Sequence, residues 1–302
     1  MVERIDEAAA AFEPLRRYLT GIAYRMLGSV SEAQDMVQEA YIRWHDVDRS
    51  AVTDPKPFLA KTVTRLCLDH LKSARSKRES YYGEWLPEPV LEQTVDGPDA
   101  ILGRIEDVSV ALMLALERLS PLERAAFILH DVFDMDFDEV AEVLGRTEVA
   151  CRQLAARGRK HVRDNRPRFT VDADEGMRIA RAFMMAAQKG DTAALQSLLA
   201  EDVRLHTDGG GIKAATLNII LGLAKVARFF AGIAKKAQAA IYSDLIYEGT
   251  INGHPGFVTI ESGDTLQSTA LDVRDGKIVA IYIVRNPEKL SHIKIDELRR
   301  GA

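Results

Sequence analysis

Residues 136–163, DFDEVAEVLGRTEVACRQLAARGRKHVR, decide how the rest of the chain is read. Asp136 caps a helix, and Glu139 three residues on completes an Asp form of the capping box. Phe137, Val140, Ala141 and Leu144 recur at helical spacing on one face. Gly145 supplies a left-handed stop, and Thr147 caps a second helix. In that second helix Cys151, Leu154, Ala155, Gly158 and Val162 form the inward stripe. Arg152, Gln153, Arg157, Arg159, Lys160 and Arg163 cover the remaining surface. Two helices on a tight turn, the second cationic, describe a helix-turn-helix whose second member enters a DNA major groove. The plainer alternative is a helical hairpin with a solvated basic face.

The 302 residues are long for one core and imply two or three domains. Hydrophobic residues make up 47% and charged residues 28%, the balance of a water-soluble globular chain. No apolar run approaches the roughly 20 residues of a membrane span, and the acidic start MVERIDEAAAAFEPLRR does not read as a signal peptide. Cys67 and Cys151 sit far apart within helical patterns. They read as small buried residues of a reducing cytosol, with neither a disulfide framework nor a metal site. No cofactor is expected.

Net charge is −5, which argues against indiscriminate coating of nucleic acid. From residue 171 onward acidic and basic side chains balance at 16 each, so the deficit lies in the first half. Within that acidic half, 61–78 and 152–168 are strongly basic. An acidic chain with two cationic surfaces suits a factor that touches DNA twice and is held there by another macromolecule.

Outward from the organising stretch, residues 12–28 form a helix ending at Gly28. Ser31, with Gln34 as its box partner, is expected to cap the next. There Ala33, Met36, Val37, Ala40, Tyr41 and Trp44 line a core stripe. Its outer face carries Glu32, Asp35, Gln38 and Glu39, either a solvated face or a docking surface for a basic partner. A third helix is expected from Phe58 to about Arg75, burying Leu59, Val63, Leu66, Cys67 and Leu71. Tyr81, Tyr82 and Trp85 then follow a run of cations, either to stack bases of a single strand or simply to pack. Residues 83–100, with three prolines and two glycines, read as an extended linker. Helices resume at about 101–119 and again at Ser120-Pro121. Beyond Pro167 come two helices broken at Gly190-Asp191, an apolar helix near 217–236, and strand-like runs at 203–206, 240–247, 256–260 and 269–283. Asp275-Gly276 within the last is a hairpin signal. Helices followed by a curled antiparallel sheet indicate an α+β domain.

Three stretches taken together resemble the sigma factors of the extracytoplasmic-function (ECF) class. SEAQDMVQEAYIRW is similar to their helix that docks on the RNA polymerase clamp. DPKPFLAKTVTRLCLDHLKSARSKR is similar to their −10 recognition helix, and LERLSPLERAAFILHDVFDMDFDEVAEVLGRTEVACRQLAARGRKHVR to their −35 module. WLPEP at 85–89, DGGG at 208–211 and NPEKL at 286–290 further resemble signatures of the subgroup bearing a C-terminal SnoaL-like domain. In that subgroup Lys directly follows the glycines, whereas here Ile212 intervenes before Lys213. The resemblance implies a multidomain fold. Two all-α modules, sigma region 2 (8–80) and a region 4 helix-turn-helix (105–166), are joined by a linker (81–104). An α+β SnoaL-like cone (171–290) and a tail (291–302) follow.

The same resemblance implies a cytoplasmic factor that binds core RNA polymerase and directs initiation at promoter −10 and −35 elements, modulated in cis by the cone. It implies no catalytic residues and no membrane partner. Glu32, Asp35, Gln38 and Glu39 would meet polymerase. Arg65, Asp69 and His70 match positions near the family's base pocket, with Lys61, Lys72 and Arg75 as phosphate contacts; the plain reading of His70 is an ordinary surface histidine. On the recognition helix Arg152 suits guanine and Gln153 adenine, and Arg157, Arg159 and Lys160 suit phosphates. Trp85, Pro87, Asp208, Gly209, Gly210, Asn286 and Pro287 would form a regulatory contact among cone, linker and −10 module. A small ligand of the cone stays open. Two rival readings remain: a one-component helix-turn-helix regulator with a ligand-binding cone, and a cyclase- or isomerase-like enzyme. The enzyme would use His206, Asp208, Tyr242 and Tyr282 around a pocket.

Overall fold

The computed structural model describes residues 2–48, 51–79, 81–92, 109–163, 172–237, 244–261 and 264–301. The chain divides into two compact units, residues 1–80 with 93–166, and residues 81–92 with 167–302. The boundary departs from the expected one. The first part of the linker belongs to the second unit.

The first unit is helical. Helices α1 (Val2–Leu27), α2 (Val30–Asp46) and α3 (Pro55–Glu79) pack on one another. They bury Phe12, Leu19, Ile22 and Met26 against Val37, Ala40 and Trp44, and against Leu59, Val63 and Cys67. Trp44 is almost wholly buried, and its indole N–H donates to Ala8 O at 3.1 Å, so the ring is a core residue with its polar edge satisfied. Two helix starts correct the expectation. Ser29, not Ser31, caps α2, its hydroxyl accepting from Glu32 N at 3.1 Å. Helix α3 begins at Pro55, where Asp54 accepts from Lys56 N and a proline in the first turn costs no hydrogen bond.

Helices α4 (Val110–Glu117), α5 (Pro121–Phe127), α6 (Phe137–Leu144) and α7 (Glu148–Arg163) complete this unit. Ser120 and Glu123 form a capping box at the start of α5. The turn between α6 and α7 is as expected: Gly145 adopts φ 62°, and Thr147 Oγ1 accepts from Ala150 N. Helix α7 buries Cys151, Ala155, Gly158 and Val162, while Leu154 is half-buried. On α6 the buried residues are Val140, Val143 and Leu144, with Phe137 and Ala141 only half-buried. A Cβ on Gly158 would lie 2.9 Å from Phe127 Cβ, which is why a residue without one stands where α7 crosses α5. Buried Arg124 joins the two halves of the unit, donating to Met26 O at 2.7 Å and pairing with Glu117 at 3.0 Å.

The second unit is a sheet with helices on one face. Helices α8 (Ala173–Lys189), α9 (Thr192–Leu198) and α10 (Leu223–Ala237) bury Ile179, Phe183, Leu195, Val226 and Phe230 against the sheet. Strands β1 (Leu199–Asp208), β2 (Ile220–Leu221), β3 (Asp244–Ile251), β4 (His254–Glu261), β5 (Thr265–Arg274) and β6 (Lys277–Val284) are ordered β2-β1-β6-β5-β4-β3. The sheet is not purely antiparallel: β1 and β6 run parallel, with His206 opposite Tyr282. A ten-residue strand reached through a long helical crossover can meet the last strand in that sense, a pairing local patterning does not reveal. The β5–β6 hairpin turns at Asp275-Gly276, both at positive φ, as that dipeptide predicts. Short helices α11 (Pro287–Leu290) and α12 (Ile295–Gly301) close the chain.

Strand alternation sorts the second unit's side chains. Val203, Leu205, Ile281 and Ile283 face the helices; His206, Asp208 and Tyr282 face the other way. Residues 81–92 lie against that other face.

Candidate functional site

On α2, Asp35 and Gln38 are exposed and Glu39 is half-buried, with Ile42 51% exposed on the same face. An apolar side chain beside carboxylates gives this surface something other than charge to offer. Glu39 pairs with Arg43 at 2.9 Å. Glu32 is turned toward α3, where His70 Nε2 lies 3.1 Å from Glu32 Oε1 but out of hydrogen-bond alignment.

Three described cations of α3, Lys61, Arg65 and Lys72, are occupied within the first unit. Lys61 Nζ pairs with Glu142 of α6 at 2.7 Å, and Arg65 Nε donates to Val143 O at 3.3 Å. The Lys61 ammonium holds the Glu142 carboxyl below its ordinary pKa. Asp69 and Lys72 pair with each other at 2.8 Å on the open surface. The side chain of Arg75 lies outside the described residues. Arg65, Asp69 and Lys72 line one cleft with Ser120, Val143 and Arg146, so α3 faces the helix-turn-helix.

The recognition helix presents Arg152, Gln153, Arg157 and Lys160 outward, with Arg159 half-buried. Arg152 pairs with Glu148 at 2.8 Å and stacks over Phe137 at 5.3 Å, so its fork leans on the first helix of the motif. Arg159 is bound to Asp131 at 2.9 Å, and Arg157 lies 3.8 Å from Glu123. These two are tied to their own unit, which suits backbone positioning better than base reading.

The second unit holds the strongest polar constellation. Asp208 is 1% exposed and accepts from Tyr81 Oη at 2.5 Å, Leu86 N at 2.9 Å, Gly210 N at 3.0 Å and Lys289 Nζ at 2.7 Å. Asn286 Nδ2 donates to the Tyr81 oxygen at 2.9 Å. Lys289 also donates to Leu86 O, and its ammonium stands 4.7 Å from the Tyr81 ring and 4.3 Å from the Trp85 ring. A buried carboxylate met by a cation and three further donors is fully compensated. Burial and the adjoining Asp208 charge push the Tyr81 hydroxyl far above its ordinary pKa.

Further along, Leu86, Pro87, Glu88, Pro89 and Val90 are buried. Asn252 N donates to Val90 O at 2.9 Å and Glu92 N to Thr250 O at 2.9 Å, so the segment adds a short antiparallel bridge at Leu91–Ile251. Glu84 Oε1 lies 2.7 Å from His206 Nδ1, and His206 stacks on Tyr282. Residues 81–92 are therefore a seated strap, not a free linker. Prolines keep it extended, and the sheet, Asn252 and Lys289 satisfy its backbone.

Trp85, Pro87, Asp208, Gly210 and Asn286 thus converge with the strap within one unit. Gly209 is buried behind it; a Cβ there would strike Lys213 O at 2.1 Å. Gly210 has φ 62°, and a Cβ on it would sit 2.3 Å from Asn286 Nδ2. Pro287 opens α11, which Asn286 caps. Lys289 was not singled out from sequence, although it lies one turn beyond Asn286 in NPEKL and supplies the cation that Lys213 does not. Of the two readings open for Tyr81, stacking bases or simply packing, the structure has it packed, with its hydroxyl anchoring the strap.

Among the described residues, His206, Asp208 and Tyr282 are not in the lining of the cavity under the helices. They sit on the strap side, across the sheet from the cavity under the helices, and Tyr242 lies outside the described residues. The alternation of β1 decides this: Thr207, between His206 and Asp208, is the residue that faces the cavity.

A helix-turn-helix with an outward cationic helix, a second cationic helix beside it and an exposed acidic face is an arrangement suited to a DNA-binding protein. Sigma-70 region 2 matches residues 11–77 and sigma-70 region 4 matches residues 109–162. The ECF RNA polymerase sigma factor SigJ of Mycobacterium tuberculosis is 38% identical over 95% of each chain. The probable ECF sigma factor SigI of the same organism is 29% identical over 96% of this chain and 97% of its own. The crystal structure of SigJ superposes with a TM-score of 0.74 at 37% identity, covering 94% of this chain and 98% of that one. The chain belongs to the ECF RNA polymerase sigma factors. It is an alternative sigma factor that binds core RNA polymerase and promoter DNA, with a helix-plus-sheet domain at its C-terminal end.

Proposed function

We propose that the C-terminal domain controls this sigma factor in cis through the strap, and that the chain acts in the cytoplasm by binding, without turnover of a substrate. The observation that carries the reading is Asp208, a carboxylate 1% exposed whose partners include two strap groups, Tyr81 Oη and Leu86 N. Loss of a buried charge partner costs about 3–5 kcal/mol, far more than an exposed ion pair supplies. The linker between the two promoter-reading modules is thereby shortened by the length of the seated strap, which limits the spacing those modules can adopt.

We assign Asp35, Gln38 and Glu39 to polymerase, with Glu32 at the edge of that face. Arg152 and Gln153 read bases, and Arg157, Arg159 and Lys160 hold phosphates. Lys61, Arg65, Asp69, His70, Lys72 and Arg75 serve the −10 element. Because Lys61 and Arg65 are engaged by α6, promoter capture by α3 requires those contacts to break. The test is in vitro transcription with core polymerase, using the full chain, a chain ending after residue 285, and Asp208→Ala. Both variants should shift transcript yield from one promoter several-fold in the same direction. Yields equal to the full chain's in both would end the proposal of control in cis.

A further inference from the structure

Under the helices of the second unit lies a cavity of about 390 Å³, within the roughly 300–1,000 Å³ typical of small-molecule sites. Four phenylalanines, Phe183, Phe229, Phe230 and Phe257, stand in its wall among aliphatic side chains. Thr207, Glu261, Gln267 and Arg285 gather its polar groups. Arg285 is the unusual member. It follows β6 on the same alternation as Ile281 and Ile283, so it faces the helices and not the strap. Its Nη1 donates to Ala214 O at 2.7 Å, but its buried Nε has no partner among the described residues. The carboxylate acting on it is Glu261, whose Oε1 is already taken by the Thr259 hydroxyl at 2.9 Å. Burial pulls the guanidinium below its ordinary pKa, the mark of a cation short of compensation.

An unsatisfied buried donor on a cation is costly unless an acceptor fills it. The acceptor that suits both the charge and the apolar wall is an anionic oxygen on an aromatic body. We propose that this cavity is a binding site for a small aromatic acid, its rings among the four phenylalanines and its anionic oxygen accepting from Arg285 Nε. Glu261, on the same cavity, favours a singly charged ligand with a hydroxyl or N–H to donate over a dianion. This inference does not rest on control by the strap, because the site lies on the opposite face of the sheet and its test reads binding alone.

The probes are 1-anilinonaphthalene-8-sulfonate, an aromatic monoanion, and N-phenyl-1-naphthylamine, the same ring system without the anion. Each is titrated by fluorescence into the full chain. The sulfonate should bind one saturable site, at least tenfold tighter than the neutral amine. Arg285→Gln should remove that advantage and leave the amine's affinity within about twofold, while Arg285→Lys should keep part of it. Ile233, 43% exposed at the cavity, allows a fold-tolerant block: Ile233→Trp should abolish binding of both probes. Thermal unfolding of each variant separates loss of site from loss of fold. Sulfonate affinity unchanged by Arg285→Gln in a folded variant, equal binding of the two probes, or binding untouched by Ile233→Trp would overturn the proposal.

Discussion

Arg152 and Lys160 lie on one outward face of α7 with different surroundings, and their substitutions should fail differently. Arg152 is steadied by Glu148 and Phe137 in a fork geometry suited to a guanine edge. Replacing it with alanine should cost about 1–3 kcal/mol on the preferred promoter and relax preference at one base pair. Lys160→Ala should weaken all sequences alike and lower the salt slope by about one. Binding titrations at several salt concentrations on matched and mutated −35 elements distinguish the two; a base-specific defect from Lys160→Ala would reverse the assignments. A second residue-scale effect is acid sensitivity. His254 is buried beside Tyr282 with Nε2 unpartnered among the described residues, and burial depresses its pKa despite the opposing charge of Asp272. A base whose folded pKa lies below its unfolded value takes up protons preferentially when unfolded. Its stabilising contribution is therefore present above about pH 6.5, the unfolded histidine value, and is lost as pH falls below it. Urea unfolding of His254→Phe across pH 5–8 should show a shallower loss below that point than the parent chain.

Helix α2 carries the element-scale prediction. Its buried stripe of Ala33, Val37, Ala40 and Trp44 leaves Asp35, Gln38, Glu39 and Ile42 on the opposite side. Surface ion pairs contribute about 0–1 kcal/mol each, so recognition of a basic partner here needs several of them and apolar contact at Ile42. Asp35→Arg combined with Glu39→Arg should abolish co-purification with core polymerase while the thermal midpoint stays within about 2 °C, since neither side chain enters the core. Retained co-purification would move the docking face elsewhere. The strap is an element of another kind, held by side chains contributed from 127 and 205 residues away. Its aromatics allowed two readings, stacking bases or simply packing, and its prolines an extended linker; the rings of Tyr81 and Trp85 pack against Lys289, on a segment whose backbone is held by Asn252.

At the scale of the molecule, the charge balance sets how the chain meets DNA. Net charge is −5, and several cations assigned to DNA are already matched: Lys61 by Glu142, Arg152 by Glu148, Arg159 by Asp131. The free chain should therefore hold promoter duplex no more tightly than the ~10⁻⁶ M of non-specific binding at physiological salt. Addition of core polymerase should tighten promoter binding at least 100-fold in a mobility-shift titration. Tight, specific duplex binding by the chain alone would overturn this account of how its charge balance limits DNA contact.

How much of this could be read beforehand follows from the range of each interaction. Helix periodicity, the box at Asp136, the left-handed Gly145 and the hairpin at Asp275-Gly276 are settled within a few residues. For that reason the helix-turn-helix and the helix-then-sheet order were legible in the chain itself, and the ordered motifs carried the family. The parallel pairing of β1 with β6, the face on which His206 and Asp208 lie, the seating of 81–92 and the Lys61–Glu142 pair join distant residues. Only the tertiary structure decided them, because strand order and register depend on which surfaces remain to be buried once the helices have packed.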